Sequence, residues 1–307
     1  MSRKSFFASL LKRAAAKLDP GAAIAAPTAI APAIVLPDAG REAIRLRYSG
    51  YQTAPFDYAT VRDFCDSFDH LSPLLLFNGD LKDVQRPWTV KAVLATTPPG
   101  SRLIEIGGGE PRAATALAEL GYHVTVVDPY DGAGNGPTEY ERYVKQYPGV
   151  QIIKDRFGVD LPLEPASCGA IFSISVLEHL PASEVANVFA GIRKFLRPGG
   201  HSIHCIDSVI GGNDTEYHYH QLKLILHEQS KLIRPEQTPD EMLPDEMLPD
   251  EMLPDETLYD RLLAQLGGDL ETFYLSAEGH NLWRGGTSYD DFPFRKVVSI
   301  QTCVHSS

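Results

Sequence analysis

The stretch Leu103–Pro111, LIEIGGGEP, restricts this chain more than any other. Leu103, Ile104, Glu105 and Ile106 predict a short buried strand, and three consecutive glycines, Gly107, Gly108 and Gly109, turn the chain out of it. Pro111 opens a helix predicted over Pro111–Leu120, since the missing proline N–H would have no partner in a first helical turn. A strand that passes through glycines into a helix lets a ligand approach the backbone, because no Cβ stands in the way. The helix N-terminus beyond offers unpaired N–H groups to a polar or anionic group.

A second strand, His123–Val127, ends at Asp128, about 20 residues on. That pairing suits a nucleoside-type cofactor whose ribose hydroxyls donate to the acid. A dinucleotide fits less well. The third glycine of a G-x-G-x-x-G pattern counted from Gly107 falls on Arg112, which leaves less room for a pyrophosphate beside the helix.

Further strands are predicted at Val150–Lys154, Ala170–Ser175 and His201–Ile206, with helices at Thr138–Gln146 and Ala182–Leu196. Leu196-Arg197-Pro198-Gly199-Gly200 is a helix stop and turn before the fifth strand. Strands alternating with helices imply an α/β fold, a doubly wound parallel sheet with helices on both faces. Leu270–Ser276 and Lys296–Cys303 read as two more strands. Ligands of such sheets bind at the carboxyl ends of the strands. The glycine turn, Asp128, Asp155, the Ser175–His179 segment and Asp207 all fall there.

EIGGGEP, VTVVDPY, IKDRFG, ISVLEHLP and LRPGG, in that order, resemble the motif series of class I S-adenosylmethionine-dependent methyltransferases of the type 11 kind. The resemblance covers residues 96 to 210 well and the flanks loosely. It implies a Rossmann-like, seven-stranded, mostly parallel sheet whose last strand is antiparallel, and S-adenosylmethionine as cofactor. Glu105 would then hold the methionine part, with Gly107, Gly108 and Gly109 passing under the cofactor. Asp128, with Pro129, would bind the ribose, and Asp155, Arg156 and Phe157 would lie near the adenine. Ser175 and Val176 would line the far side, and Glu178 would face the substrate. The chain departs from the pattern in Pro111, at the third glycine, and in Cys168-Gly169, where Phe-Asp is usual before the fourth strand. The C-terminal stretch SAEGHNLWRGGTSYDDFPFRKVVSIQ is loosely similar to bacterial methyltransferases linked to surface-polysaccharide synthesis.

The flanks divide the chain into three parts. Residues 1–40 form a tail: five basic and no acidic residues within the first 17, then Ala and Pro. It reads either as a loose basic tail or, over residues 1–18, as an amphipathic helix in weak contact with an anionic membrane surface. Residues 41–97 predict a helical cap, with helices at Tyr58–Phe68 and Pro87–Ala95 and many aromatics. Residues 98–307 hold the methyltransferase domain, with helix Tyr217–Lys231 and an insertion at about 236–258 built on PDEML repeats. Units of five residues are too short for a folded repeat array.

A net charge of −12 excludes a general nucleic-acid footprint. The four cysteines have no metal-type spacing and suit a reducing, cytoplasmic setting. At the inner face of a membrane, only peripheral contact is expected, since no apolar run approaches the length of a spanning helix.

Methyl transfer to oxygen needs alignment and a base. His179, after the fourth strand, and Asp207, after the fifth, are the catalytic candidates. His218 and His220 lie just beyond as substrate-side residues, and no metal-ligand spacing accompanies them. His280 and Trp283 sit in a C-terminal loop, where a tryptophan face can stack on a sugar ring. The expected activity is O-methylation of a saccharide or small molecule. N- or carboxyl-methylation of a protein or metabolite, a catalytically silent binding subunit and a nicotinamide oxidoreductase are the alternatives.

Overall fold

A computed structural model describes residues 36, 38–132, 136–233, 256–275 and 295–307. The basic tail, most of the repeat insertion, His280 and Trp283 lie outside the described residues.

The sheet has seven strands: β1 (Phe56–Tyr58), β2 (Arg102–Ile106), β3 (His123–Val127), β4 (Gln151–Ile153), β5 (Cys168–Ile174), β6 (Leu196–Gly212) and β7 (Arg295–His305). Their spatial order is β1-β7-β6-β5-β2-β3-β4. β2 to β6 run parallel, and β7 is antiparallel to β6. From β2 the chain moves out through β3 to β4, then returns to β5 on the other side of β2. Strand order therefore reverses between β2 and β5, where a crevice opens at the carboxyl ends.

The seventh strand differs from expectation. Leu270–Ser276 forms no full strand; its described residues make only the bridges Thr60↔Thr272 and Tyr274↔Val298. β1, from the stretch expected to be helical, pairs with Ile300–Thr302 of β7 instead. The two segments divide one edge. Ala59 N donates to Ser299 O and Leu275 N to Val297 O, so coverage of β7 passes from one to the other.

Helices cover both faces. α1 (Asp38–Tyr48), α3 (Lys82–Thr96), α4 (Arg112–Glu119) and α5 (Tyr140–Gln146) lie on one, α6 (Ala182–Phe195) and α7 (Thr215–Ser230) on the other. α2 (Val61–His70) has a reciprocal cap between Thr60 and Asp63, which satisfies two otherwise orphaned donors. α8 (Glu256–Gly268) follows the insertion. Strand alternation sorts the core. Leu103, Val126, Phe172 and Ile203 join Trp88, Ala113 and Leu117 on the first face. Ile104, Ile171 and Ile206 join Val185, Phe189 and Ile225 on the second. Each such buried side chain contributes about 1.5–3 kcal/mol.

α3 begins one turn before the expected Pro87, at Lys82. That extra turn brings Gln85 onto Asp207 after β6, Lys82 into the field of Asp207 and Glu178, and Arg86 into that of Glu105.

Candidate active site

Three strands end in left-handed backbone at the crevice: Gly107 (φ 63°) after β2, Tyr130 (φ 48°) after β3 and Ser175 (φ 53°) after β5. For Tyr130 and Ser175 this costs on the order of 1–3 kcal/mol, and such strain gathers at functional sites. Space explains two of the glycines. A Cβ on Gly107 would meet Val176 at 2.7 Å, and one on Gly108 would meet Val126 at 2.6 Å and the Glu105 carboxyl at 3.1 Å.

Glu105 is the last but one residue of β2 and shares the α3 face with Leu103. Its carboxyl is buried, and Oε2 has no hydrogen-bond partner. Burial pushes it up to about 8, against hydrogen bonding from Ala114 and the charge of Arg86. Arg86 is half-buried, and its enclosed Nη1 is also without a partner. Burial lowers its pKa.

Asp128, after β3, is nearly buried. Oδ2 accepts from Gly109 N at 3.0 Å and Oδ1 from Tyr130 N at 2.8 Å. Burial raises its carboxyl against those two bonds. Pro129 is half-buried beside it. At the end of β4, Asp155 is exposed and accepts from Arg156 N. Arg156 bridges Asp131 at 3.2 Å and Glu184 at 3.1 Å on the outer rim. Phe157 turns away into the core, edge-on to Phe195.

A second cluster lies between β5, β6 and α3. Gln85 is fully buried, and its Nε2 donates to Asp207 Oδ1 at 2.7 Å. Ser175 Oγ lies 2.8 Å from Gln85 Oε1 and 2.9 Å from Asp207 Oδ1. Glu178, buried in the one-turn helix Leu177–His179, accepts from Asp207 N through Oε1 at 2.8 Å; its Oε2 has no partner. Burial, then the Asp207 charge, raise Glu178 well above the usual carboxylate range. Burial raises Asp207 too, offset by the Gln85 bond. Lys82, pushed below the usual lysine range by burial, sits in the field of Asp80, Asp207 and Glu178.

α7 fixes the turn. Gln221 Nε2 donates to Leu177 O and Leu180 O, and Tyr217 Oη to Glu178 O. In this turn Glu178 points inward and His179 is exposed. From this turn it is Glu178, and not His179, that meets Asp207. His218 Nδ1 is 3.1 Å from Asp207 O, so it belongs to this cluster. His220 does not: it is exposed, 3.8 Å from Glu216.

The first turn of α3 was not foreseen as part of the site. Its polar residues, Lys82, Gln85 and Arg86, precede the helix expected from Pro87. Their density before an apolar run, TVKAVLA, was the available signal.

The unpartnered atoms test the expected cofactor. S-adenosylmethionine carries an ammonium and a carboxylate on its methionine part. Glu105 Oε2, beside Gly108, is an acceptor without a donor, and Arg86 Nη1 is a donor without an acceptor on a side chain whose charge acts on Glu105. Buried groups left so are costly unless a ligand satisfies them. The residues fit the group. Among the described residues no three His, Cys, Asp or Glu side chains gather as a cation site.

Residues 104–204, roughly a third of the 307-residue chain, match the family described as methyltransferase domain. This segment is similar to methyltransferase domains, which supports methyl transfer as the chain's activity. Among solved structures, a putative sarcosine dimethylglycine methyltransferase from Galdieria sulphuraria is similar at 14% identity and a TM-score of 0.43, over 80% of this chain and 98% of that one. Geranyl diphosphate C-methyltransferase from Streptomyces coelicolor A3(2) is similar at 14% identity and a TM-score of 0.41, over 90% and 100%. A TehB-like SAM-dependent methyltransferase from Corynebacterium glutamicum is similar at 15% identity and a TM-score of 0.37, over 55% and 82%. No curated protein matches the chain. No helix among the described residues is long and apolar enough to cross a membrane.

Proposed function

We propose that the enzyme methylates a hydroxyl oxygen of a small-molecule acceptor, with a saccharide as the first class to test. The observation that carries this is Asp207: a carboxyl of raised pKa, held at Oδ1 by Gln85 and Ser175, at the carboxyl end of β6. When bound, S-adenosylmethionine supplies an electrophilic methyl group. Glu105 would receive its ammonium, Arg86 its carboxylate, and Asp128 its ribose, with Asp155 at the adenine rim. Asp207 accepts the proton of the acceptor hydroxyl. Gln85 and Ser175 fix the carboxyl in orientation, and burial together with the nearby Asp80 charge raises its basicity. The polar lining supplied by Gln85, Ser175, Glu178, Asp207 and His218 suits an acceptor with several hydroxyls. Residues 41–97 form one wall of the acceptor site through α3 and cover the catalytic domain of residues 98–307.

Methyl transfer from labelled S-adenosylmethionine to nucleotide sugars, free glycans, amines and carboxylic acids tests this reading. Transfer to a hydroxyl, reduced at least 100-fold in Asp207→Asn, is expected, the scale of a lost general base. Transfer only to carboxylates, at full rate in the variant, would replace it with carboxyl methylation.

A further inference from the structure

The segment after β3 grips the glycine turn from outside. Tyr130 Oη donates to Gly109 O at 2.9 Å, while Asp128 accepts from the N–H groups of both Gly109 and Tyr130. The N–H and the C=O of one residue in the turn are thus both fixed, and the bonds close a ring through Asp128 and Tyr130. Tyr147 Oη donates to the next residue, Glu110, at 2.5 Å. Pro137 would touch a Cβ on Gly109 at 3.4 Å. Tyr130 itself is buried, held in left-handed backbone, with its ring 5.6 Å from Tyr140 and 5.9 Å from Tyr143. Burial raises the Tyr130 phenol, so it stays protonated and donates.

Three consecutive glycines have wide backbone freedom, which a ligand must remove when it binds against them. A turn already held in place removes that cost beforehand. We propose that Tyr130 is a positioning residue for the cofactor: through its bond to Gly109 O it pre-sets the glycine turn against which S-adenosylmethionine binds. This rests on the cofactor assignment above.

Tyr130→Phe keeps the ring and its packing and removes one hydroxyl. Calorimetric titration with S-adenosylhomocysteine is expected to show affinity weakened roughly three- to tenfold, the scale of one hydrogen bond, with the melting temperature of the free protein slightly lowered, since the bond is already present there. Because Asp128 acts on the same glycine, Asp128→Asn combined with Tyr130→Phe should lose less than the product of the single losses. A purely structural role would lower the melting temperature and leave the affinity of the folded protein as in the wild type; that result overturns the proposal alone. Failure of the wild type to bind S-adenosylhomocysteine would overturn the cofactor assignment and the proposal with it.

Discussion

Gln85 Nε2 and Asp207 Oδ1 are 2.7 Å apart, although 122 residues separate them in the chain. The bond ties the first turn of α3 to the end of β6 and holds one oxygen of the acidic cluster. The same amide receives Ser175 Oγ at 2.8 Å, so one buried side chain orients two strand ends.

Gln85→Ala should therefore weaken both fold and catalysis. It removes one bond to a carboxyl and one to a hydroxyl and leaves Asp207 less well held. The expected loss is about 2–3 kcal/mol in urea unfolding, typical of buried hydrogen bonds that include a charged partner. Methyl transfer should fall further than stability alone explains. A stability loss below about 0.5 kcal/mol, the level of an ordinary surface substitution, would show that the bond does not hold the cluster.

Gly108→Ala should be damaging for a reason of space. The new methyl would lie 2.6 Å from Val126 Cγ1, and Val126 is fully buried in the sheet. Overpacking of this kind costs about 1–3 kcal/mol and displaces the turn, so affinity for S-adenosylhomocysteine should fall with stability. Gly149→Ala is the control, because nothing stands within 4 Å of its added methyl. Equal melting temperatures for the two variants would contradict the packing described for the turn.

Much of the sheet was legible because its signals are local. LIEI followed by three glycines, and HVTVV followed by Asp128, each specify a strand and its end within a few residues. β1 was not legible: Phe56-Asp57-Tyr58 is three residues long, and only its pairing with Ile300–Thr302 makes it a strand. Leu270–Ser276 has a better strand composition but meets β7 only at its tip. The choice between Glu178 and His179 was equally hidden. Adjacent residues on a one-turn helix point in different directions, and it is Gln221 and Tyr217, some 40 residues later, that set which one faces Asp207. Gln85 was missed because it precedes the helix start expected at Pro87, and a polar residue reads as exposed until the group it meets is known.

Glu105 and His204 give the free enzyme opposing pH dependences. Burial pushes Glu105 up to about 8 from 4.5. The unfolded chain loses that proton near 4.5 while the folded chain keeps it, so stability falls as pH rises from 4.5 to about 8. His204 is held between Ser173 Oγ at 2.8 Å and Ser202 Oγ at 2.7 Å, fully buried, and burial lowers it to about 3 from 6.5. The unfolded chain takes up a proton below 6.5 that the folded chain refuses, so stability falls as pH drops from 6.5 toward 3. Between 4.5 and 6.5 the slopes of these two groups oppose each other; above 6.5 that of Glu105 remains. Each such group contributes about 1.4 kcal/mol per pH unit within its window. Without cofactor, the wild type should thus lose stability between pH 6.5 and 8, and Glu105→Gln should lose less by about one group's share. Urea unfolding at both pH values decides the matter: equal slopes in the two proteins would mean that Glu105 is already ionised in the folded state, and its role as the receiver of a cationic group would need no proton release.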